Sequence, residues 1–316
     1  ALLDGTRVQM IATATIGMDH IDLDYCASHG IEVHNAEGCN AGGVMQYVFS
    51  ALYGVAARKA IKLDDFTFGI VGVGHVGKMV EKMAKYLGFN VLLCDPPRAE
   101  AEGPEGFCSL EYLLANSQIV SMHVPLDSST RNMADKSFFD LMPVGAIFIN
   151  ASRGEVVDEE ALMQSLPKFG AVIIDTWKNE PDINEELMEM VDIATPHIAG
   201  YSTDGKANGT SMSVNALAKF FDLGDDLKNF YPGNVPLPEK VELDLPENGS
   251  FEERLLTVVN CSYNIAEDSM RLRGNPQEFE KLRGNYPLRR EFHNFTVRNA
   301  DGKCADALMK LGFKLK

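Results

Sequence analysis

The chain has 316 residues, 45% of them hydrophobic and 23% charged, with 45 acidic against 29 basic side chains and a formal net charge of −16. That length is enough for two or three domains, and the acidity, with no long basic run against it, argues against nucleic acid and anionic membranes as partners. No apolar stretch approaches the roughly 20 residues a membrane span needs, and the six scattered cysteines contain no C-x-x-C pair, which fits reduced thiols in a cytoplasmic protein and no zinc site.

In chain order, residues 8–12 are strand-like, 22–28 helix-like and 31–33 strand-like again, too little to bury a core alone. The sequence opens at Ala1 inside what reads as the end of a helix, so an N-terminal segment is expected to be absent from it. His20, between Asp19 and Asp22, reads as part of a helix-start network rather than a metal site. Residues 41–60 form one long helical pattern leading into the next unit. From Phe68 the chain alternates strictly. Residues 68–71 are a strand ending in glycines, and Val76, Met79, Val80, Met83, Ala84 and Leu87 follow at helical spacing on one face. Apolar runs at 91–94, 119–123, 146–150, 171–174 and 191–194 continue the series. Ser109 before LEYLL and Asp158 before EEALMQSL mark helix starts. Near-continuous apolar strands alternating with helices predict a parallel sheet covered on both faces, a doubly wound α/β fold of Rossmann type. A second long helical pattern, about 203–223, is expected beside 41–60 and returns the chain to its first unit. After the Gly/Pro-rich YPGNVPLPEK comes a tail, 240–316, with a helix at about 251–267 and a strand at 295–298.

Gly72, Gly74 and Gly77 fit G-x-G-x-x-G after a strand and opening a helix. The first glycine allows the tight turn, the second lets backbone approach a pyrophosphate, and the third lets helix and strand pack closely. His75 and Val76 complete the loop, His75 as a solvent-facing position. Asp95, 18 residues after Gly77 at the end of the second strand, suits a ribose and repels a 2′-phosphate, which favours NAD over NADP. Arg98 nearby leaves NADP open. The alternative, that GVGHVG is only a turn, fits less well because strand, helix and acid agree.

Three polar residues follow apolar runs further on: Arg153 in NASRGEVVDEEAL, Glu180 in DTWKNEP and His197 in TPHIAGYS. Histidine exchanges a proton near neutral pH and suits the base for an alcohol. A carboxylate on its second nitrogen fixes tautomer and orientation, and arginine suits bidentate capture of a substrate carboxylate. Singly each has a bland reading, as a surface arginine or a satisfied core histidine. In this order after a dinucleotide loop they predict hydride chemistry on a hydroxy acid. His123, also at a strand end, competes as base, although Val124-Pro125 after it suggest a turn beside the cofactor. In the tail, Arg283, Arg289 and Arg290 are candidates to reach an anionic substrate group.

These segments resemble the D-isomer-specific 2-hydroxyacid dehydrogenases, through IATATIGMDHID, FGIVGVGHVG, INASRGEVVDEEAL and DIATPHIAGYSTDGKANGT. EGCNAGGVMQYVFSAL, LLCDPPR and the tail segments FEKLRGNYPLRREF and ALMKLGFK are most similar to the branch acting on 4-phospho-D-erythronate in pyridoxal phosphate synthesis. The resemblance implies NAD-linked oxidation to 2-oxo-3-hydroxy-4-phosphobutanoate, with Arg153 and Glu180 in the active site and His197 as the proton-transfer residue. It places Asp95, Val124, Asp175 and Gly200 against NAD, and Thr15, Tyr201 and Arg153 against substrate. Val124 stands where the family has threonine, so only backbone contact is implied there. Gln46 stands where glutamate is common, read as a tolerated change in the hinge helix. The implied division is a flavodoxin-like substrate (lid) domain from 1–41 and 203–235, N-terminally incomplete; an NAD-binding domain, 42–202; and an α+β dimerisation domain, 240–316, making a homodimer. A sister 2-hydroxyacid dehydrogenase and a non-catalytic NAD-sensing dimer are the alternatives; the tail and HIAGY speak against the first, the intact Arg–Glu–His set against the second.

Overall fold

The short alternating start of the chain pairs with itself first. In the computed structural model, which describes residues 2–18 and 21–316, β1 (Met10–Ala12) and β2 (Glu32–His34) lie parallel, Met10 opposite Glu32, joined through α1 (Leu23–Ser28). Asp22 caps α1 by accepting from the Tyr25 amide. The network expected around Asp19 and His20 lies outside the described residues. Two three-residue strands bury little, so this unit leans on its neighbours in the fold. The next helix, α2 (Ala41–Lys59), is buried nearly all round, with Tyr47, Val48, Phe49, Leu52, Val55 and even Gln46 and Ser50 withdrawn from solvent. It ends at Ala60, left-handed, whose amide closes on the Ala56 and Ala57 carbonyls.

The apolar runs then build one sheet. β3 (Thr67–Val71), α3 (His75–Leu87), β4 (Asn90–Cys94), α4 (Pro96–Glu102), α5 (Leu110–Asn116) and β5 (Ile119–Met122) make its first half. The second half is α6 (Lys136–Leu141), β6 (Ile147–Asn150), α7 (Glu159–Ser165), β7 (Ala171–Ile174), α8 (Glu185–Met190) and β8 (Ile193–Ala194). The order is β4-β3-β5-β6-β7-β8, all parallel. Winding reverses between β3 and β5, and the crevice beyond their carboxyl ends is where such sheets take ligands. Ser109 and Asp158 cap α5 and α7 as expected. Two details differ. Met79 is 41% exposed: the buried stripe of α3 is Gly77, Val80, Met83 and Ala84, and Met79 falls over its rim. The last strand starts at Ile193 because Asp192 before it turns its carboxylate to the Val172 amide and to Arg58 and Lys59.

α9 (Thr203–Phe220) packs beside α2, and α10 (Asp225–Lys228) leads into the tail. There β9 (Glu242–Asp244), α11 (Phe251–Ser262), α12 (Ile265–Gly274), α13 (Phe279–Gly284), β10 (Thr296–Arg298), α14 (Gly302–Leu311) and β11 (Lys314–Leu315) form a small parallel sheet, β11-β10-β9, with helices around it. The single helix expected at 251–267 is two. The extended backbone of Tyr263 breaks it, with Tyr263 and Ile265 both buried at the corner. The break lets α12 lie along β8, where Ser269 Oγ accepts from the Ala194 amide and covers the sheet's edge. The tail is no separate globule: one apolar core runs from α2 and β3 through Leu243, Leu255, Phe292, Phe295 and Leu308. No helix among the described residues is long and apolar enough to cross a membrane.

Candidate active site

Gly72 turns the chain at the end of β3 with φ +87°, a conformation glycine adopts freely. A Cβ there would also stand 2.7–2.8 Å from the backbone of His123 and Val124, so the loop is packed directly on the turn after β5. A Cβ at Gly77 would lie 2.1 Å from the Gly72 carbonyl oxygen, so α3 approaches the loop only because it has none. Gly74 is different: nothing lies within 4 Å of where its Cβ would be, at the N-terminus of the 13-residue α3. The amides and dipole of that helix end attract phosphate. Asp95, at the end of β4, accepts from the Val73 amide at 2.7 Å and the Arg98 amide at 3.0 Å. It thus braces the loop while keeping lone pairs for ribose hydroxyls. Arg98, which left a 2′-phosphate open, donates to the Val73 carbonyl and pairs with Glu102. The residues fit a dinucleotide. His75 is exposed and its Nε2 stands 3.7 Å from Glu37, just after β2, while Val76 turns toward the core.

The next strands build the reactive side. At the end of β6, Asn150 accepts from the Ser152 amide and hydroxyl and donates to the Arg153 carbonyl, locking the turn that carries Arg153. A Cβ on Gly154 would stand 1.9 Å from the Trp177 carbonyl carbon, so this turn is packed backbone to backbone on the one after β7. There the Trp177 amide donates to Glu180 Oε1 at 2.9 Å, and its indole donates to the Thr195 carbonyl at 2.9 Å. Glu180 Oε2 lies 2.8 Å from His197 Nδ1. An ionised carboxylate only accepts, so Nδ1 carries the hydrogen and Nε2 is left to exchange protons. His197 has φ +55°, a region that residues with a Cβ seldom adopt outside functional or tight turns.

Asp175 holds that conformation. Its carbonyl accepts from the His197 amide at 2.7 Å, and its carboxylate accepts from the Ile198 and Ala199 amides, each at 2.8 Å, and the Thr195 hydroxyl at 2.7 Å. Burial pushes the Asp175 carboxyl up. Asp175, expected beside the cofactor, is 1% exposed, with both oxygens engaged by the loop that presents His197. Gly200 forms the joint with the start of α2, since a Cβ there would lie 2.2 Å from Asn40 Nδ2. Thr15 lies in the loop after β1, its hydroxyl bonded to Thr13 and the Gly17 carbonyl. Tyr201 packs edge-on to Tyr286 and accepts from Arg283. His123 bonds Ser121 Oγ at 2.9 Å, and burial lowers its pKa to about 4, so it is neutral at pH 7. It has no carboxylate partner among those contacts and is the weaker base candidate.

Two of the tail arginines are buried away from solvent. Arg289 is 3% exposed, donates to the Ala199 carbonyl at 2.6 Å and lies 4.5 Å over the Tyr263 ring. Arg290 is 7% exposed and paired with Asp204. Sequence reasoning missed Trp177, Thr195 and Tyr47, whose hydroxyl meets Thr195 Oγ1 at 2.7 Å and ties the histidine loop to α2. The one signal available was a tryptophan beside the acid in DTWKNEP, because a buried tryptophan needs a partner for its indole N–H and can thereby set a turn.

Residues 51–199 match the family described as "D-isomer specific 2-hydroxyacid dehydrogenase, NAD binding domain". Residues 235–312 match a family described only as a domain of unknown function. Erythronate-4-phosphate dehydrogenase of Bacteroides fragilis is 45% identical over 297 residues, 92% of this chain and 82% of that protein. The enzyme of the same name from Sodalis glossinidius is 40% identical, covering 100% of this chain and 85% of its own. Among solved structures, NAD+-bound 3-phosphoglycerate dehydrogenase of Entamoeba histolytica is similar with a TM-score of 0.59 at 27% identity, over 68% of this chain and 73% of that one. D-lactate dehydrogenase of Aquifex aeolicus, complexed with NAD and lactic acid, gives 0.56 at 28% identity, over 71% and 78%.

Proposed function

The chain belongs to the D-isomer-specific 2-hydroxyacid dehydrogenases, and from that premise we propose how its site oxidises 4-phospho-D-erythronate, the substrate its relatives' name carries. It is an NAD-dependent oxidoreductase of that branch, forming 2-oxo-3-hydroxy-4-phosphobutanoate on the way to pyridoxal phosphate. The observation that carries the mechanism is the 2.8 Å bond from His197 Nδ1 to Glu180 Oε2 at the carboxyl edge of the sheet. NAD, held by Gly72, Gly74, Gly77 and Asp95, supplies the hydride acceptor when bound. His197 Nε2 takes the proton of the C2 hydroxyl, and Glu180 stabilises the imidazolium that results. Arg153 holds the carboxylate by paired N–H donors and fixes the C2 hydrogen's direction.

The division into lid, NAD-binding domain and tail belongs to the same reading, with 240–316 as the dimerising element and the cytoplasm as the compartment. Exposed Met270, Leu288 and Met309 on the tail support a self-association surface, and six free cysteines suit a reducing compartment. A single 34.7 kDa species in sedimentation equilibrium would refute the dimer. The activity is checked by incubating the protein with NAD and 4-phospho-D-erythronate and following NADH. NADH formation with kcat/KM above that for D-lactate and D-glycerate is expected; turnover of those two acids alone sinks the substrate.

A further inference from the structure

We propose that Arg283, delivered by the tail, is the residue that recognises the substrate's phosphate; this rests on the proposed function of the site. Arg283 sits near the end of α13. Its Nη2 donates to Tyr201 Oη at 3.2 Å, and its Nη1 stands 4.0 Å from Glu180 Oε2, the same oxygen that meets His197 Nδ1. A tail residue more than 80 positions away from both therefore places a guanidinium beside the proton-transfer pair. Its donors are under-used. The Glu180 pairing is long, and Nε, although buried, has no hydrogen-bond acceptor. Ring faces position it in place of strong acceptors: Tyr201 at 5.6 Å and Phe279 at 6.0 Å.

Lys206 Nζ lies 5.0 Å over the same Tyr201 ring, so two cations converge on one tyrosine next to the reacting centre. A 4-phosphorylated hydroxy acid carries two anionic ends. Arg153 serves the carboxylate, and on a chain of net charge −16 the second end needs its own local cation. A guanidinium's planar fork matches phosphate oxygens bidentately. Arg289 also has unpaired Nε and Nη1 but is only 3% exposed, and Arg290 is 7% exposed and paired with Asp204; Arg283, its side chain 29% exposed, is the tail arginine open to a ligand. On this assignment the tail has a direct part in substrate choice: it completes the pocket.

The test compares wild type, Arg283→Ala and Arg283→Lys on 4-phospho-D-erythronate and unphosphorylated D-erythronate. The ratio of kcat/KM between the two acids is expected to fall about 10- to 100-fold in R283A, mostly through KM of the phosphorylated acid, with partial recovery in R283K. Equal losses on both acids, at unchanged ratio, would overturn the assignment and leave Arg283 a positioning residue acting through Glu180. Calorimetric titration of the NAD-loaded protein with inorganic phosphate is the second readout, expected to show weaker binding in both variants than in wild type. Should the wild type oxidise neither acid, the proposed substrate fails, and phosphate affinity that is the same in all three proteins then overturns the role of Arg283 as well.

Discussion

His197 is constrained from two sides: Glu180 fixes its Nδ1, and Asp175 holds the left-handed backbone beneath it. Replacing it with Gln keeps a similar shape but removes proton exchange, so kcat should drop by roughly 10²–10⁴-fold while NAD affinity by fluorescence titration stays near wild type. His123→Asn should cost far less turnover, and unchanged activity in H197Q would reverse the two roles. His123 carries a pH signature of its own. The folded pKa of His123 is depressed to about 4, below the ordinary value near 6.5. The unfolded chain therefore binds more protons between these values. The group's stabilising share is full above about pH 6.5 and declines as pH falls toward 4, so its NMR ring signals should not titrate between pH 8 and 6. Sequence made His197 legible because it follows an apolar run after a dinucleotide loop. The buried role of Asp175 was not legible, since its partners are amides more than 20 residues downstream.

At the scale of elements, the three glycines of one loop do three different jobs, and substitution separates them. Gly77→Ala places a methyl group 2.1 Å from the Gly72 oxygen and must push α3 off β3. A loss of about 1–3 kcal/mol in urea denaturation is expected, typical of forced overpacking. Gly74→Ala meets only open space in the protein itself. It should melt close to wild type yet bind NAD at least tenfold more weakly, because the methyl occupies the path of the pyrophosphate. A G74A protein with wild-type NAD affinity would show that the phosphates lie elsewhere. Strand and helix periodicity made the sheet readable, whereas the break at Tyr263 was not. Residues 251–267 are compatible with one helix, and only the need of α12 to run along β8 bends the chain there.

Across the whole molecule, the segment 289–294 clasps α2 and α9 together. Arg290 and Asp204 form a buried pair, the Glu291 amide and Asn294 complete it, and Gln46 of α2 donates to the Arg290 carbonyl. Ser202 donates to Glu291, and α2 passes close enough that a Cβ on Gly42 would strike that carboxylate. Asp204→Asn leaves Arg290 buried without its counter-charge and should cost about 3–5 kcal/mol of stability in urea denaturation. Burial pushes the Asp204 carboxyl up, but Arg290 and the Glu291 amide together hold it below the ordinary value. The pair's contribution is therefore present above about pH 4 and lost as pH falls below it, and the acid limb of the stability profile should flatten in D204N. A wild-type acid limb in D204N would assign acid sensitivity to other groups.

The sequence alone determined the doubly wound sheet and pointed to the glycine loop and the Arg–Glu–His set, because each rests on local periodicity or on residue type at a strand end. It also left three tail arginines equivalent. Their roles diverge through contacts spanning from four to 246 residues along the chain. Tertiary structure alone buried Arg289 and Arg290 against α2 and α9 and set Arg283 beside Glu180, and it gave Asp175 the bonds that brace His197. The physical reason is the same in each case: a charged group's role is fixed by burial and by the partners that satisfy it, and neither is written in the residues next to it in the chain.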